Sequence, residues 1–254
     1  MLTHPVKEKL TVLRLHGMAK SFEEQISSKD YEKLAFEERL GLLVDRELIE
    51  QENRRLSSRL KKAKLRQQAS MEDVDYRQKR GLDKDLVKSL AECKWIKERL
   101  NILITGPCGA GKSFIACALG HKACLEGYRV LYSRASRLFE NLALAKGDGR
   151  YPNLMKSIAK QDLLIIDDWG LSVLTDLERT YMLEILEDRH NLRSTVIASQ
   201  LPIEHWHEAI GNPTLADAIL DRIIHNSYKI QLNGKGGSMR KIKSKKPSKE
   251  NDGV

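Results

Sequence analysis

The octet Gly106-Pro107-Cys108-Gly109-Ala110-Gly111-Lys112-Ser113 constrains this chain more than any other segment. It fits the pattern G-x-x-x-x-G-K-[ST]. An apolar run, Leu100-Asn101-Ile102-Leu103-Ile104-Thr105, precedes it, and a helical pattern from Ser113 to Glu126 follows. A strand, a glycine-rich turn and a helix in that order point several backbone N–H groups at one place. The helix N-terminus adds positive potential there, so an anion is the natural occupant. Gly106, Gly109 and Gly111 allow the backbone to curl. Lys112 would reach the β- and γ-phosphates of a nucleotide, and the Ser113 hydroxyl would hold Mg²⁺. Pro107, Cys108, Ala110 and Phe114 complete the set expected to line ATP.

A loop of this kind needs a parallel sheet behind it, and the chain from about residue 70 supplies one. Candidate strands at 101–105, 129–133, 162–167, 195–199 and 228–232 alternate with helical stretches, which argues a sheet covered on both faces. Thr175 and Glu178 form a plausible capping box for a helix over 176–190. Leu163-Leu164-Ile165-Ile166-Asp167-Asp168 is a buried strand that ends in two carboxylates. Delivered to the C-terminal edge of the sheet, Asp167 would join Ser113 in the Mg²⁺ shell, and Asp168 would orient or deprotonate the attacking water.

Three further residues are candidates for this chemistry. Gln200 follows the strand 195–199 and could touch the γ-phosphate or the water. Arg222 lies in a helical stretch before the last strand, and Arg240 lies after that strand. An arginine that meets the migrating phosphoryl group is worth about 10³–10⁵ in rate. Arg222 could instead pair with Asp221 or Asp217, and Arg240 could be one more basic tail residue. His205, Trp206 and His207 read as structural, because histidines two apart do not share a helical face.

The net charge of +9 is carried by the ends. Residues 1–69 hold 15 Lys and Arg against 11 Asp and Glu, and residues 229–254 hold 8 against 2. Residues 5–69 read as helices, with Leu40, Leu43, Val44 and Leu48 as one apolar face. The helical pattern runs into a stretch with seven basic residues and no acid: Arg54, Arg55, Arg59, Lys61, Lys62, Lys64 and Arg66. Without acids the usual neutralising pairs of a helix face are missing, which favours contact with the phosphates of duplex DNA. The stretch contains no aromatic residue, so base stacking is not indicated. No apolar run reaches the roughly 20 residues of a membrane span. The four cysteines form no C-x-x-C pair and read as reduced thiols, so a cytoplasmic location is expected.

With these residues assembled, the chain resembles the IstB family, the ATP-binding helper proteins of a class of bacterial insertion sequences, related to the DnaC helicase loaders and to the AAA+ ATPases. The resemblance rests on Leu13-Arg14-Leu15-His16-Gly17-Met18-Ala19, Glu37-Glu38-Arg39-Leu40, Arg80-Gly81-Leu82-Asp83 and the phosphate loop. Asp167-Asp168-Trp169-Gly170, Ser199-Gln200-Leu201-Pro202, Thr214-Leu215-Ala216-Asp217-Ala218, Asp221-Arg222 and Ser238-Met239-Arg240 carry it further. It implies an AAA+ fold behind a small helical N-terminal domain, in an ATPase that assembles as a ring or spiral on duplex DNA, remodels it and assists a transposase. Lys112 and Ser113 fall on Walker A, Asp167 and Asp168 on Walker B, Gln200 near sensor 1, Arg222 on the arginine-finger region and Arg240 near sensor 2. Arg80 and Gly81 would cradle the adenine.

Two departures accompany the match. Asp168 stands where most AAA+ proteins carry Glu, one methylene longer, which implies slow hydrolysis. Only about 20 residues follow the last strand, too few for the usual C-terminal helical lid. The expected organisation is a basic helical domain at 1–69, an ATPase domain at 70–240 and a basic tail at 241–254. A helicase loader acting on single strands is the alternative within the ATPases. A small-molecule kinase is the alternative outside the DNA-linked proteins, and it leaves both basic ends unexplained.

Overall fold

The computed structural model describes residues 4–76 and 81–233. Arg80, Arg240 and the tail at 241–254 lie outside the described residues. The chain divides into two compact units, Met1–Ser58 and Arg59–Val254.

The first unit comprises α1 (Pro5–Val12), α2 (His16–Ser27), a 3-10 turn at Lys29–Lys33 and the first part of α3 (Phe36–Ala63). Its organising contact is a close helix crossing at Gly17, where an added Cβ would stand 2.6 Å from the Arg46 carbonyl oxygen and 2.7 Å from the Glu47 Cα. Only glycine fits there. The approach carries Glu47 onto the start of α2, where Oε2 accepts from the N–H groups of Gly17 (2.6 Å) and Met18 (3.2 Å). A carboxylate at a helix N-terminus satisfies orphan donors and opposes the helix dipole. The apolar face expected on α3 is not the packed one, since Leu40, Val44 and Leu48 remain exposed.

The boundary between the units falls inside α3, ahead of the expected domain end at residue 69. Ala63, Ala69, Met71 and Val74 are buried, and the Leu65 side chain lies beside Gly120. These apolar anchors hold the end of α3 and the segment after it within the second unit.

In that unit, α4 (Lys84–Ala91), capped by Asp83, and the short α5 (Lys94–Lys97) precede β1 (Asn101–Thr105). There follow α6 (Lys112–Leu125), β2 (Val130–Arg134), α7 (Ala135–Gly147), α8 (Tyr151–Ala159), β3 (Leu163–Trp169), α9 (Asp176–Arg189) and β4 (Ser194–Ser199). A short α10 (Trp206–Ile210), α11 (Pro213–Ile224) and β5 (Ser227–Gln231) complete it. The five strands form one parallel sheet in the order β2-β3-β4-β1-β5. All five expected strands form, within two residues of their expected limits.

The central strands are apolar on both sides because both sides are covered. Leu103, Leu164, Ile166 and Ile197 point into a core shared with α7, α8, α9, α10 and α11. The alternate residues, among them Ile102, Ile165 and Val196, face the other way and are equally buried. Ile165 meets α6 there, lying against Gly120. The capping box on α9 is present, with Thr175 and Glu178 satisfying each other's backbone donors. Trp206 is a core residue whose Nε1 donates to the Leu201 carbonyl, as the structural reading of that residue expected. Among the described residues no helix is long and apolar enough to cross a membrane.

Candidate active site

β1 ends at Thr105, and the chain must reverse at once to enter α6. Gly106 takes φ +145°, and a Cβ there would stand 2.4 Å from the Leu232 carbonyl oxygen beyond β5. Gly109 and Gly111 take φ +80° and +101°. These conformations are strained for any residue with a side chain. The turn therefore brings loop amides and the start of α6 together as a concave cradle, which fits a phosphate chain. Lys112 is nearly buried, and its Nζ donates to the carbonyls of Gly106 (2.8 Å) and Pro107 (2.9 Å). The ammonium is thus held over the loop. Ser113 sits half-buried in the first turn of α6, and Cys108 is exposed on the loop.

β3 brings the acids to the same edge of the sheet. The ladder between β3 and β4 slips after Ile166↔Ile197 and resumes at Trp169↔Ser199. Asp167 and Asp168 occupy this bulge, a device that re-aims side chains at the end of a strand. Asp168 takes φ +58°. The left-handed turn sends the two carboxylates into different surroundings. Asp167 is fully buried, with Oδ2 accepting from the Tyr132 hydroxyl at 2.6 Å and Oδ1 from the Asp168 N–H at 2.9 Å. Burial, and the hydrogen bond to an anionic neighbour, push the Tyr132 phenol far above its ordinary pKa and keep it a donor. The Asp168 side chain is one-quarter exposed and stands 3.4 Å from Arg66 Nη1 and 3.8 Å from Arg134 Nε.

Gln200 follows β4, which lies between β1 and β3, so its backbone stands between the phosphate loop and the acids. Ser199 is committed to the fold, donating to the Trp169 carbonyl and accepting from the Leu201 N–H. Gly81 is placed beside the end of β5, where an added Cβ would meet the Gln231 carbonyl at 3.0 Å. Phe114 is half-buried on α6.

Arg222 is at the other edge of the sheet. Its carbonyl accepts from Asn101 Nδ2 at the first residue of β1, while the phosphate loop leaves the last. Five strand residues span about 13 Å. The guanidinium donates to the Ala218 carbonyl (2.6 Å) and to Glu187 Oε1 (2.9 Å), not to Asp217 or Asp221. It does not join the site of its own chain.

The basic stretch is not one surface. α3 ends at Ala63, and Lys64 takes φ +53°, which turns the chain. Arg59 Nε donates to the Cys124 carbonyl at the end of α6, and Arg66 reaches the carboxylates of β3. Both side chains have partners within their own unit. The expected lack of neutralising acids is corrected. Arg54 pairs with Glu47 at 3.0 Å and Arg55 with Glu52 at 3.9 Å, acids that lie just upstream of the stretch. Lys61, Lys62 and Lys64 remain exposed. Tyr132 and Arg134 were not foreseen as site residues. Arg134 reaches the site through the register Arg134↔Asp167, which the sequence does not show.

A parallel sheet with a glycine-cradled lysine just after one strand and paired acids at the end of the next but one defines a P-loop ATPase of AAA+ architecture. The comparisons take this further. The family model described as IstB-like ATP binding protein matches residues 8–247, and the chain belongs to that family. It is 53% identical to the putative insertion sequence ATP-binding protein y4pL of Sinorhizobium fredii, over 97% of this chain and 100% of that one. It is 47% identical to the insertion sequence IS1162 putative ATP-binding protein of Pseudomonas fluorescens, over 80% of this chain and 88% of that one. Among solved structures, the DnaC helicase loader matches with a TM-score of 0.54 at 18% identity, over 65% of this chain and 96% of that one. The replication initiator DnaA bound to AMPPCP and single-stranded DNA matches with a TM-score of 0.54 at 19% identity, over 68% of this chain and 53% of that one. These last two likenesses concern the fold.

Proposed function

We propose that this protein is an ATP-dependent DNA-binding ATPase that assembles on target duplex DNA, remodels it and assists the transposase of an insertion sequence. Lys112 and the loop amides bind the phosphates of ATP, and Arg80, outside the described residues, with Gly81 contacts the adenine. Ser113 and Asp167 would hold Mg²⁺, whose charge offsets that developing on the phosphates; a hydroxyl and a carboxylate are the hard oxygen donors this ion takes. Asp168 orients the attacking water, with Gln200 beside it. The shorter reach of Asp168 relative to Glu makes basal hydrolysis slow. Arg240, also outside the described residues, would act near the γ-phosphate.

The observation that carries the reading is the separation of Arg222 from its own phosphate loop. A site short of its arginine in one chain is completed by a neighbour, so turnover follows assembly as a homo-oligomeric ring or spiral. The exposed Lys61, Lys62 and Lys64 support contact with the backbone of duplex DNA, and the relatives' names support a role in transposition. A gel mobility shift on duplex and single-stranded DNA, with ATP, a non-hydrolysable analogue or neither, tests it. Nucleotide-dependent binding of duplex is expected. Preference for single strands, with no requirement for duplex, would favour a DnaC-like helicase loader instead.

A further inference from the structure

The outer edge of the sheet carries a cavity that the ATPase chemistry leaves unused. β2 is the edge strand and lies three strands from β1, about 14 Å across the ladder. None of residues 106–113 lines the cavity, so it is separate from the phosphate loop. Its volume of about 630 Å³ lies within the range of small-molecule sites.

The walls divide by chemistry. Leu131, Leu138, Leu154 and Ile158, all buried or half-buried, make one part apolar. Lys64, Arg66, Arg134 and Arg137 make another part cationic, with the hydroxyls of Ser133 and Ser136 beside them. One acid lines the cavity, Glu140, 3.6 Å from Arg137. Arg66 and Arg134 also reach the carboxylates at the end of β3. Among the described residues Lys64 has no acid within ion-pair distance. The lining is therefore short of negative charge, which an anionic ligand would supply.

α7 sets the shape of that ligand. Arg134, Arg137, Leu138 and Asn141 follow the i, i+3, i+4, i+7 spacing of one helix face and all line the cavity. The helix begins there with no side-chain cap and no acid in its first turn, so its first N–H groups add to the positive potential of the arginines. From Arg134 to Asn141 the axis rises about 10 Å. The fitting molecule is anionic at one end and, about 10 Å on, offers an apolar ring with an edge that a carboxamide can pair with. Adenine has such an edge, which asparagine reads through two hydrogen bonds. The backbone of a duplex lies on the outside of a wide rod and would meet only the cationic rim, leaving the apolar wall uncovered.

We propose that this cavity is a second nucleotide site, which takes a nucleoside polyphosphate with its phosphates against Lys64, Arg134 and Arg137 and its base beside Asn141. It adds a site to the ATPase above and leaves the phosphate loop its role.

Equilibrium dialysis of the full-length protein with a radiolabelled, non-hydrolysable ATP analogue tests it. Wild type should bind a second equivalent beyond that of the phosphate loop, and Lys112→Ala should retain it. Arg137→Glu should weaken the second equivalent about tenfold or more, the scale of a lost charged hydrogen bond, and leave the first unchanged. The Arg137 side chain is 71% exposed and glutamate suits the first turn of a helix, so this variant keeps its fold. Asn141→Ala should weaken the nucleotide but not inorganic triphosphate. A single equivalent in wild type, with none in folded Lys112→Ala, overturns the proposal. So does a second equivalent indifferent to both Arg137→Glu and Asn141→Ala. Inorganic triphosphate that binds the second site as tightly as the nucleotide overturns the role of the base. If Lys112→Ala binds no nucleotide but binds a duplex oligonucleotide in a way that Arg137→Glu abolishes, the cavity belongs to a nucleic-acid backbone and the second nucleotide site is wrong.

Discussion

The two edges of the parallel sheet handle charge in opposite ways. At the edge where the strands end, backbone geometry is spent on presentation. Gly106, Gly109, Gly111 and Asp168 all lie at positive φ, Lys112 donates to the Gly106 and Pro107 carbonyls, and Asp168 stands beside Arg66 and Arg134. At the edge where the strands begin, Arg189 is almost completely buried. It donates to the carbonyls of Ile158, Gln161 and Ser194 and to the Thr195 hydroxyl. Arg222 shares that edge but is 27% exposed, with one carbonyl and the half-exposed Glu187 as partners. One arginine ties the fold together and the other is held loosely enough to serve elsewhere. Bonding and burial separate the two roles where residue type does not.

The largest effects are expected at the presenting edge. Asp168→Asn should lower turnover by about 10²-fold or more while nucleotide affinity is retained, because the water loses its acceptor and the phosphate cradle is untouched. Measured as phosphate release beside ATP affinity, unchanged turnover would remove Asp168 from the chemistry. Lys112→Ala should abolish ATP-dependent assembly. Normal affinity and assembly in that variant would contradict the cradle.

The contrast between the two arginines sharpens next. Arg189→Met should destabilise the protein by about 3 kcal/mol in denaturant, since it leaves several buried acceptors unpaired. Arg222→Met should cost under about 1 kcal/mol, as expected of a partly exposed pair. Equal losses would mean that Arg222 is also a structural strut.

Smaller effects concern the basic ends of the account. Charge reversal at Lys61, Lys62 and Lys64 should weaken duplex binding and flatten its log–log salt slope by roughly 0.9 per lost phosphate contact. Reversal at Arg54, already paired with Glu47, should change the slope less. The smallest is a pH effect in the N-terminal unit. Burial opposes the Glu47 charge, but hydrogen bonds from Gln51, Met18 and Gly17 and the nearby Arg54 outweigh it and hold the carboxyl below its ordinary range. With the folded pKa depressed, the unfolded chain binds the extra proton, so this stability is present above the ordinary glutamate pKa and lost as pH falls through the folded value. Glu47→Gln should therefore lower stability by about 1 kcal/mol near neutrality and by progressively less in acid. A pH-independent difference between the two proteins would remove the charge from the explanation.

The strands and the phosphate loop were legible because their determinants are local. A run such as Leu163-Leu164-Ile165-Ile166 must be covered on both faces, and Gly106, Gly109 and Gly111 take positive φ, with no room for a side chain at Gly106. The surroundings of Asp168 were not legible. Arg66 and Arg134 come from segments remote in sequence, and only the turn at Lys64 and the pairing Arg134↔Asp167 bring them together. The basic stretch misled for the same reason. Read as one helix it has one face, but the helix ends at Ala63 and its arginines divide among Glu47, Glu52, Cys124 and Asp168. Charge counts describe a segment, whereas partners depend on where the segment turns.

The central claim is that the site is completed across an interface, and a mixing experiment tests it most directly. Arg222→Ala subunits keep an intact phosphate loop but offer no arginine, and Lys112→Ala subunits offer the arginine without a working loop. Each alone should be nearly inactive on duplex. Mixed in equal amounts, they should regain a substantial part of DNA-stimulated turnover, because some interfaces then join an intact loop to an intact Arg222. If both proteins fold and co-assemble on duplex and no mixture regains activity, Arg222 acts within its own chain or only in the fold, and the shared site is wrong.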